Sequence, residues 1–197
     1  MPMLDSNARK YVQPLLDAVA RGAQRMGVSA NAMTVGGMLV GVAAAVLVCL
    51  GHPLAGFLVL WLSGLIDAAD GTLARLTGTT SPIGAILDIT FDRVVELSMV
   101  TALAWRFPEA RFELVILAGI IAIAMSLFLS IGAAVANRSV KSFHYAPGLG
   151  ERTEAFICLS LMILDSERLV LWTWVFIAVI VFTMAQRLVH VREMLKP

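Results

Sequence analysis

Between residues 31 and 190 the sequence breaks into six apolar runs, at about 31 to 51, 54 to 76, 82 to 105, 112 to 136, 152 to 165 and 168 to 190. A spanning helix needs roughly 20 apolar residues, a length that most of these runs reach and the fifth does not. The expected fold is all-α: a polytopic membrane protein with a six-helix transmembrane domain over residues 29–197. A hydrophobic content of 59% and a mean hydropathy of +0.84 leave little sequence for a soluble domain.

Residues 1–28 read differently, because polar and charged side chains run through them without a sustained apolar stretch. They carry no signal-peptide pattern and are expected to stay in the mature protein. Val12, Leu15, Leu16, Val19, Ala23 and Met26 recur at helical spacing, with Arg9, Lys10, Arg21 and Arg25 among the polar positions. The segment is expected to form an amphipathic interfacial helix on the cytoplasmic membrane face, with Pro14 in its first turn. The alternative is a solvated extension.

Charge sorts by side. Of the fifteen basic residues, eleven fall on one side: Arg9, Lys10, Arg21, Arg25, Arg75, Arg138, Lys141, Arg152, Arg187, Arg192 and Lys196. Three, Arg106, Arg111 and Arg168, fall on the other, and Arg93 lies within the third run. The positive-inside rule then makes both termini and the loops after the second and fourth spans cytoplasmic. The expected location is a bacterial inner (cytoplasmic) membrane. Cys49 and Cys158 lie in apolar runs, where a thiol acts as a small hydrophobe, and imply neither disulfide nor metal.

Local signals punctuate the spans. Ser29 or Asn31 can cap the first span. Gly51-His52-Pro53 makes a tight external turn with His52 as a loop residue, and Ser81-Pro82 restarts the chain after the second span. The longest connection, residues 137 to 150, reads NRSVKSFHYAPGLG and gathers Arg138, Lys141, His144 and Tyr145.

Against this apolar background, Asp67, Asp70, Asp88 and Asp92 stand out. At 1.5 Å per residue from the cytoplasmic ends near Arg75 and Pro82, all four lie roughly 8 to 15 Å deep. Asp67 and Asp70 are three apart and Asp88 and Asp92 four apart, so each pair shares a helix face. The short link between the second and third spans predicts antiparallel neighbours whose carboxylates converge. Four unpaired aspartates at mid-span would cost about 10 kcal/mol, and Arg75 is the only basic residue between Asp67 and Asp92. A hard divalent cation, Mg2+ or Mn2+, is the natural compensation. Such a site suits a diphosphate, and hence phosphoryl chemistry on a lipid. Gly71, Ala74 and Gly84 leave room beside the backbone for a bulky ligand, or else serve close helix packing.

The array Asp67-x2-Asp70-Gly71-x2-Ala74-Arg75-x8-Gly84-x3-Asp88-x3-Asp92 resembles the signature of the CDP-alcohol phosphotransferase family at every fixed position and spacer. Members transfer a substituted phosphate from a CDP-linked donor, usually CDP-diacylglycerol, to an alcohol and release CMP. The resemblance implies that Asp67, Asp70 and Asp88 ligate metal, with Asp92 sharing a metal and acting as the general base. It implies that Gly71, Ala74, Arg75 and Gly84 receive the cytidine diphosphate. Asn31 and Thr34 resemble the family's first-helix donor contacts, although Ala30 stands where proline is common. Arg93 and Glu96 are expected to form structural ion pairs to other helices.

Arg138, Lys141 and Arg152 are candidates for binding an anionic acceptor, a phosphorylated polyol such as glycerol 3-phosphate. Members that use inositol phosphate tend to carry an Arg-rich stretch after the fourth span, which this chain lacks. A homodimer is expected from the resemblance alone, and no nucleic-acid partner is expected. Two other readings stay open: an intramembrane prenyltransferase, which normally needs two separate Asp-rich motifs, and a divalent-cation transporter.

Overall fold

The computed structural model describes residues 4–136 and 152–194, with side chains over 12–135 and 153–192. Seven α-helices run through them: α1 (Leu4–Arg25), α2 (Ala30–Cys49), α3 (Pro53–Thr77), α4 (Pro82–Arg106), α5 (Arg111–Ala136), α6 (Arg152–Leu164) and α7 (Leu169–Met194). Short 3-10 turns at Pro108–Ala110 and Ser166–Arg168 lead into α5 and α7, and no strand occurs among the described residues. The chain divides after Pro108 into two compact units.

The first unit is organised around α2. Ser29 caps it, its hydroxyl accepting from the Ala32 amide at 3.2 Å, which leaves Asn31 inside the first turn with its side chain available. Gly37 and Gly41, four residues apart, put a backbone stripe on one face of α2, and small residues let helices approach closely in a membrane. Gly37 lies against Ile66 and Asp67 of α3, Gly41 against Ser63 of α3 and Val95 of α4, and Ala44 and Val48 against Gly56 of α3. Ser63 Oγ donates to the Gly37 carbonyl at 2.8 Å and ties α3 to α2.

This corrects one expectation. The link from Gly78 to Ser81 is short, with Gly78 at φ 67° closing α3 and the Thr79 amide donating to the Ala74 carbonyl at 3.0 Å. Even so, direct packing of α3 on α4 is sparse, because α2 takes the packing face of both.

α1 also departs from expectation. It begins at Leu4, so Pro14 sits inside the helix and removes an interior amide donor instead of occupying the first turn. Leu16, Ala20 and Ala23 are buried with Ala69 and Leu73 of α3 and with Met33. Val12 and Leu15 stay exposed on α1, as do Arg21 and Arg25, and Met26 is exposed in the turn that follows.

Four stretches are long and apolar enough to cross a membrane: Ala30–Cys49, Pro53–Thr77, Pro108–Val135 and Ser166–Arg192. They expose Leu39, Leu58, Phe112, Val115, Ile123 and Phe182, an apolar exterior suited to lipid. The 25-residue α4 has the length but carries Asp88, Asp92, Arg93 and Glu96, and the 13-residue α6 is too short.

In the second unit α5 and α6 both pack on α7, with Leu114, Leu117, Leu159, Met162 and Phe176 buried. The Arg187 guanidinium lies 5.0 Å over the Phe128 ring. Trp172 Nε1 donates to Asp165 Oδ2 at 2.9 Å beside the α6–α7 turn. Cys49 and Cys158 are both free thiols.

Candidate metal and donor site

The third and fourth helices each deliver carboxylates to one place. Asp67 and Asp70 on α3 and Asp88 on α4 present ligand oxygens that all lie within 4.8 Å of one another. Asp67 and Asp70 are buried and Asp88 is half-buried. Of the four carboxylates expected to converge, these three do, and the common packing of α3 and α4 on α2 brings them together.

Asp70 carries the most telling atom. Its Oδ2 is buried and has no hydrogen-bond partner, a state that costs about 1–3 kcal/mol or more for a charged group. The buried Thr34 of α2 hydrogen-bonds the same carboxylate, while its hydroxyl also donates to the Ala30 carbonyl at 3.0 Å. A hydroxyl has one proton, so these two acceptors compete for it; the Gly71 amide and the Arg75 charge also act on Asp70, yet Oδ2 keeps no partner. Three hard oxygen donors with an orphaned oxygen among them fit Mg2+ or Mn2+.

Asp92 stands outside the triad. It lies one helical turn deeper on α4, half-buried, in electrostatic reach of Asp88, Asp70, Arg93 and Glu96. Arg93 and Glu96 pair with each other within α4, Nη1 to Oε2 at 2.6 Å. The expected pairing to other helices is thus replaced by an intrahelical one, because residues three apart share a helix face.

The residues assigned to the donor split into two groups. Asn31 is exposed and reaches α4: a β-carbon on Gly84 would stand 3.3 Å from its Oδ1 and 3.3 Å from Ser81 Oγ. Gly84 therefore serves close approach of α4 to α2. Gly71 faces open space apart from Arg75, whose Nη1 would lie 3.5 Å from a β-carbon there. Arg75 is exposed and its Nη2 donates to Thr72 Oγ1 at 3.0 Å, which folds the guanidinium back along α3. Ala74 is half-buried between them. Arg138, Lys141, His144 and Tyr145 lie outside the described residues, as does the side chain of Arg152.

Three residues outside the motif's fixed positions also shape the site. Thr72 is buried inside a motif spacer and orients Arg75; its small polar side chain between apolar neighbours was the available signal. Gly37 and Gly41 set the helix spacing, and their four-residue interval is the sequence signal for it.

Three hard-oxygen donors, two of them buried, on two helices of membrane length make a group that could hold a divalent cation in a membrane protein. The chain belongs to the CDP-alcohol phosphatidyltransferase family, whose model matches residues 27–186. It is similar to inner membrane protein YnjF of Escherichia coli, 30% identical over 166 residues covering 79% of each chain. It is similar also to a phosphatidylinositol phosphate synthase of Corynebacterium glutamicum, 33% identical over 105 residues. That alignment covers 52% of this chain and about half, 48%, of the synthase.

Among solved structures, the Mycobacterium tuberculosis phosphatidylinositol phosphate synthase with CDP-DAG bound superposes with a TM-score of 0.72. The two are 26% identical, over 90% of this chain and 94% of that one. The same synthase with manganese and citrate gives a TM-score of 0.71 at 26% identity, over 90% and 88%. The chain is thus a metal-dependent transferase of phospholipid biosynthesis, with Mg2+ or Mn2+ as its cofactor.

Proposed function

We propose that this enzyme moves the phosphatidyl group of CDP-diacylglycerol to a small phosphorylated polyol and releases CMP. The observation that carries this reading is the Asp67, Asp70 and Asp88 triad, with a buried orphan oxygen on Asp70 and Asp92 one turn beyond. A bound divalent cation would draw developing charge off the diphosphate. Asp92 takes the acceptor hydroxyl proton as the oxygen bonds to the phosphatidyl phosphorus and the bond from that phosphorus to CMP breaks. Asn31, Thr34, Gly71, Ala74, Arg75 and Gly84 receive the nucleotide end of the donor, and Arg138, Lys141 and Arg152 the acceptor phosphate.

The protein crosses the membrane six times, with residues 29–197 as the catalytic domain and α1 lying at the interface. The eleven-to-three distribution of basic residues supports termini and active site on the cytoplasmic side. A homodimer accords with the family resemblance. Similarity to phosphatidylinositol phosphate synthases favours inositol phosphate as acceptor, with glycerol 3-phosphate as the second compound in the same chemical class.

The deciding assay measures CMP released from CDP-diacylglycerol by the purified protein, with Mg2+ or Mn2+ and each acceptor in turn. Acceptor-dependent CMP formation is expected with a phosphorylated polyol. Metal flux into vesicles with no CMP formed under any acceptor would instead identify a transporter.

A further inference from the structure

Asp88, Asp92 and Glu96 follow one another at intervals of four, so the acidic stripe on α4 continues one turn beyond the aspartates. Glu96 is 2% exposed, more deeply buried than any aspartate of the triad. Its partner is Arg93, whose side chain remains 31% exposed. Glu96 Oε2 and Arg93 Nε are buried without an aligned hydrogen bond, although Nη1 and Oε2 stand 2.6 Å apart. The contact is a close charge-assisted pair within α4, and Arg93 Nε is left without a partner beside it.

An apolar pair at 93 and 96 would be cheaper to place in a membrane, since burying two ions costs several kcal/mol apiece before their attraction offsets it. The position of the pair supplies a reason for it. Arg93 adjoins Asp92 in sequence, and both Arg93 and Glu96 act electrostatically on Asp92 with opposite signs. A lone guanidinium there would offset the field that four carboxylates present to a cation. It would do so where the surroundings screen charge weakly.

We propose that Glu96 is a positioning residue for the metal centre: it holds and neutralises Arg93, so that the guanidinium neither offsets the carboxylate field nor engages Asp92. The inference rests on the reading of Asp67, Asp70 and Asp88 as metal ligands.

The test is direct Mn2+ binding, measured by electron paramagnetic resonance on the full chain in lipid nanodiscs. Glu96→Gln leaves Arg93 uncompensated and is expected to raise the Mn2+ Kd about tenfold, as a nearby unit charge in a poorly screened site should. Removing both charges, in Arg93→Gln/Glu96→Gln, returns the Kd to within about threefold of wild type, as does Glu96→Asp. A merely structural pair predicts the reverse, with the double variant binding no better than the single one. Unchanged binding in Glu96→Gln, or a double variant as weak as the single, overturns the proposal.

Should Glu96→Gln not fold, the double variant and Glu96→Asp carry the test, and a loss of about tenfold in either sinks it. Failure of the underlying site reading looks different: wild type binds no Mn2+, or Asp70→Asn binds it as wild type does.

Discussion

A β-carbon added to Gly41 of α2 would lie 2.5 Å from Val95 Cγ2 on α4 and 2.8 Å from Ser63 Oγ on α3. Three helices therefore meet at one glycine. Ser63 is one turn from Asp67, and Val95 is seven residues, about two turns, past Asp88. Because α3 and α4 pack on α2 more than on each other, this contact sets how far apart their carboxylates stand.

Gly41→Ala should push α4 from α3. Overpacking costs about 1–3 kcal/mol, and thermal unfolding should show it. The Mn2+ Kd should rise with it. Val95→Ala in the same chain removes the two clashing methyl groups but leaves Ser63 Oγ at 2.8 Å, so Gly41→Ala/Val95→Ala should regain part of the lost affinity. An alanine at 41 that leaves Mn2+ binding untouched would show that α2 does not govern the triad.

Asp70 and Asp92 should fail in different ways. Asp70→Asn removes a charged ligand from the triad, so weaker Mn2+ binding and lower activity should appear together. Asp92 stands outside the triad, so Asp92→Asn should bind Mn2+ nearly as wild type does while kcat falls by about 10²–10⁴-fold, the usual worth of a positioned base. Near-normal turnover in Asp92→Asn would remove it as the base.

Gly71 and Gly84 also separate. A β-carbon on Gly71 meets only Arg75 Nη1, at an ordinary 3.5 Å, so Gly71→Leu should fold normally. It fills the space over Gly71, next in sequence to Asp70, and KM for CDP-diacylglycerol should rise while the melting temperature holds. If both stay at wild-type values, the donor does not pass over Gly71.

The carboxylate spacing made the metal triad legible because a helix face follows directly from residue intervals of three and four. Which helix would hold the two halves together was not legible. The apolar side of α2 reads alike whether it faces lipid or protein, and a glycine shows what it packs against only once its neighbours are placed. Pro14 misled for a related reason: proline marks first turns on average, yet α1 gains enough from burying Leu16, Ala20 and Ala23 against α3 to continue through it. The Arg93–Glu96 pair was visible as two charges three apart, but an apolar run gives no sign of whether such charges reach inward or along their own helix.

The start of α2 offers a test that separates architecture from binding. Ser29 accepts from the Ala32 amide and caps the helix, whereas Asn31 is exposed with its Oδ1 beside Gly84 and makes no cap. Ser29→Ala should therefore cost about 1 kcal/mol of stability, the usual value of a lost cap, and leave KM for the donor unchanged. Asn31→Ala should do the opposite, sparing stability and raising donor KM. Both effects are measurable on one preparation, by thermal unfolding and by CMP release across CDP-diacylglycerol concentrations. An Asn31→Ala enzyme with wild-type KM would leave Asn31 as a surface residue of the α2–α4 contact and return donor recognition to α3.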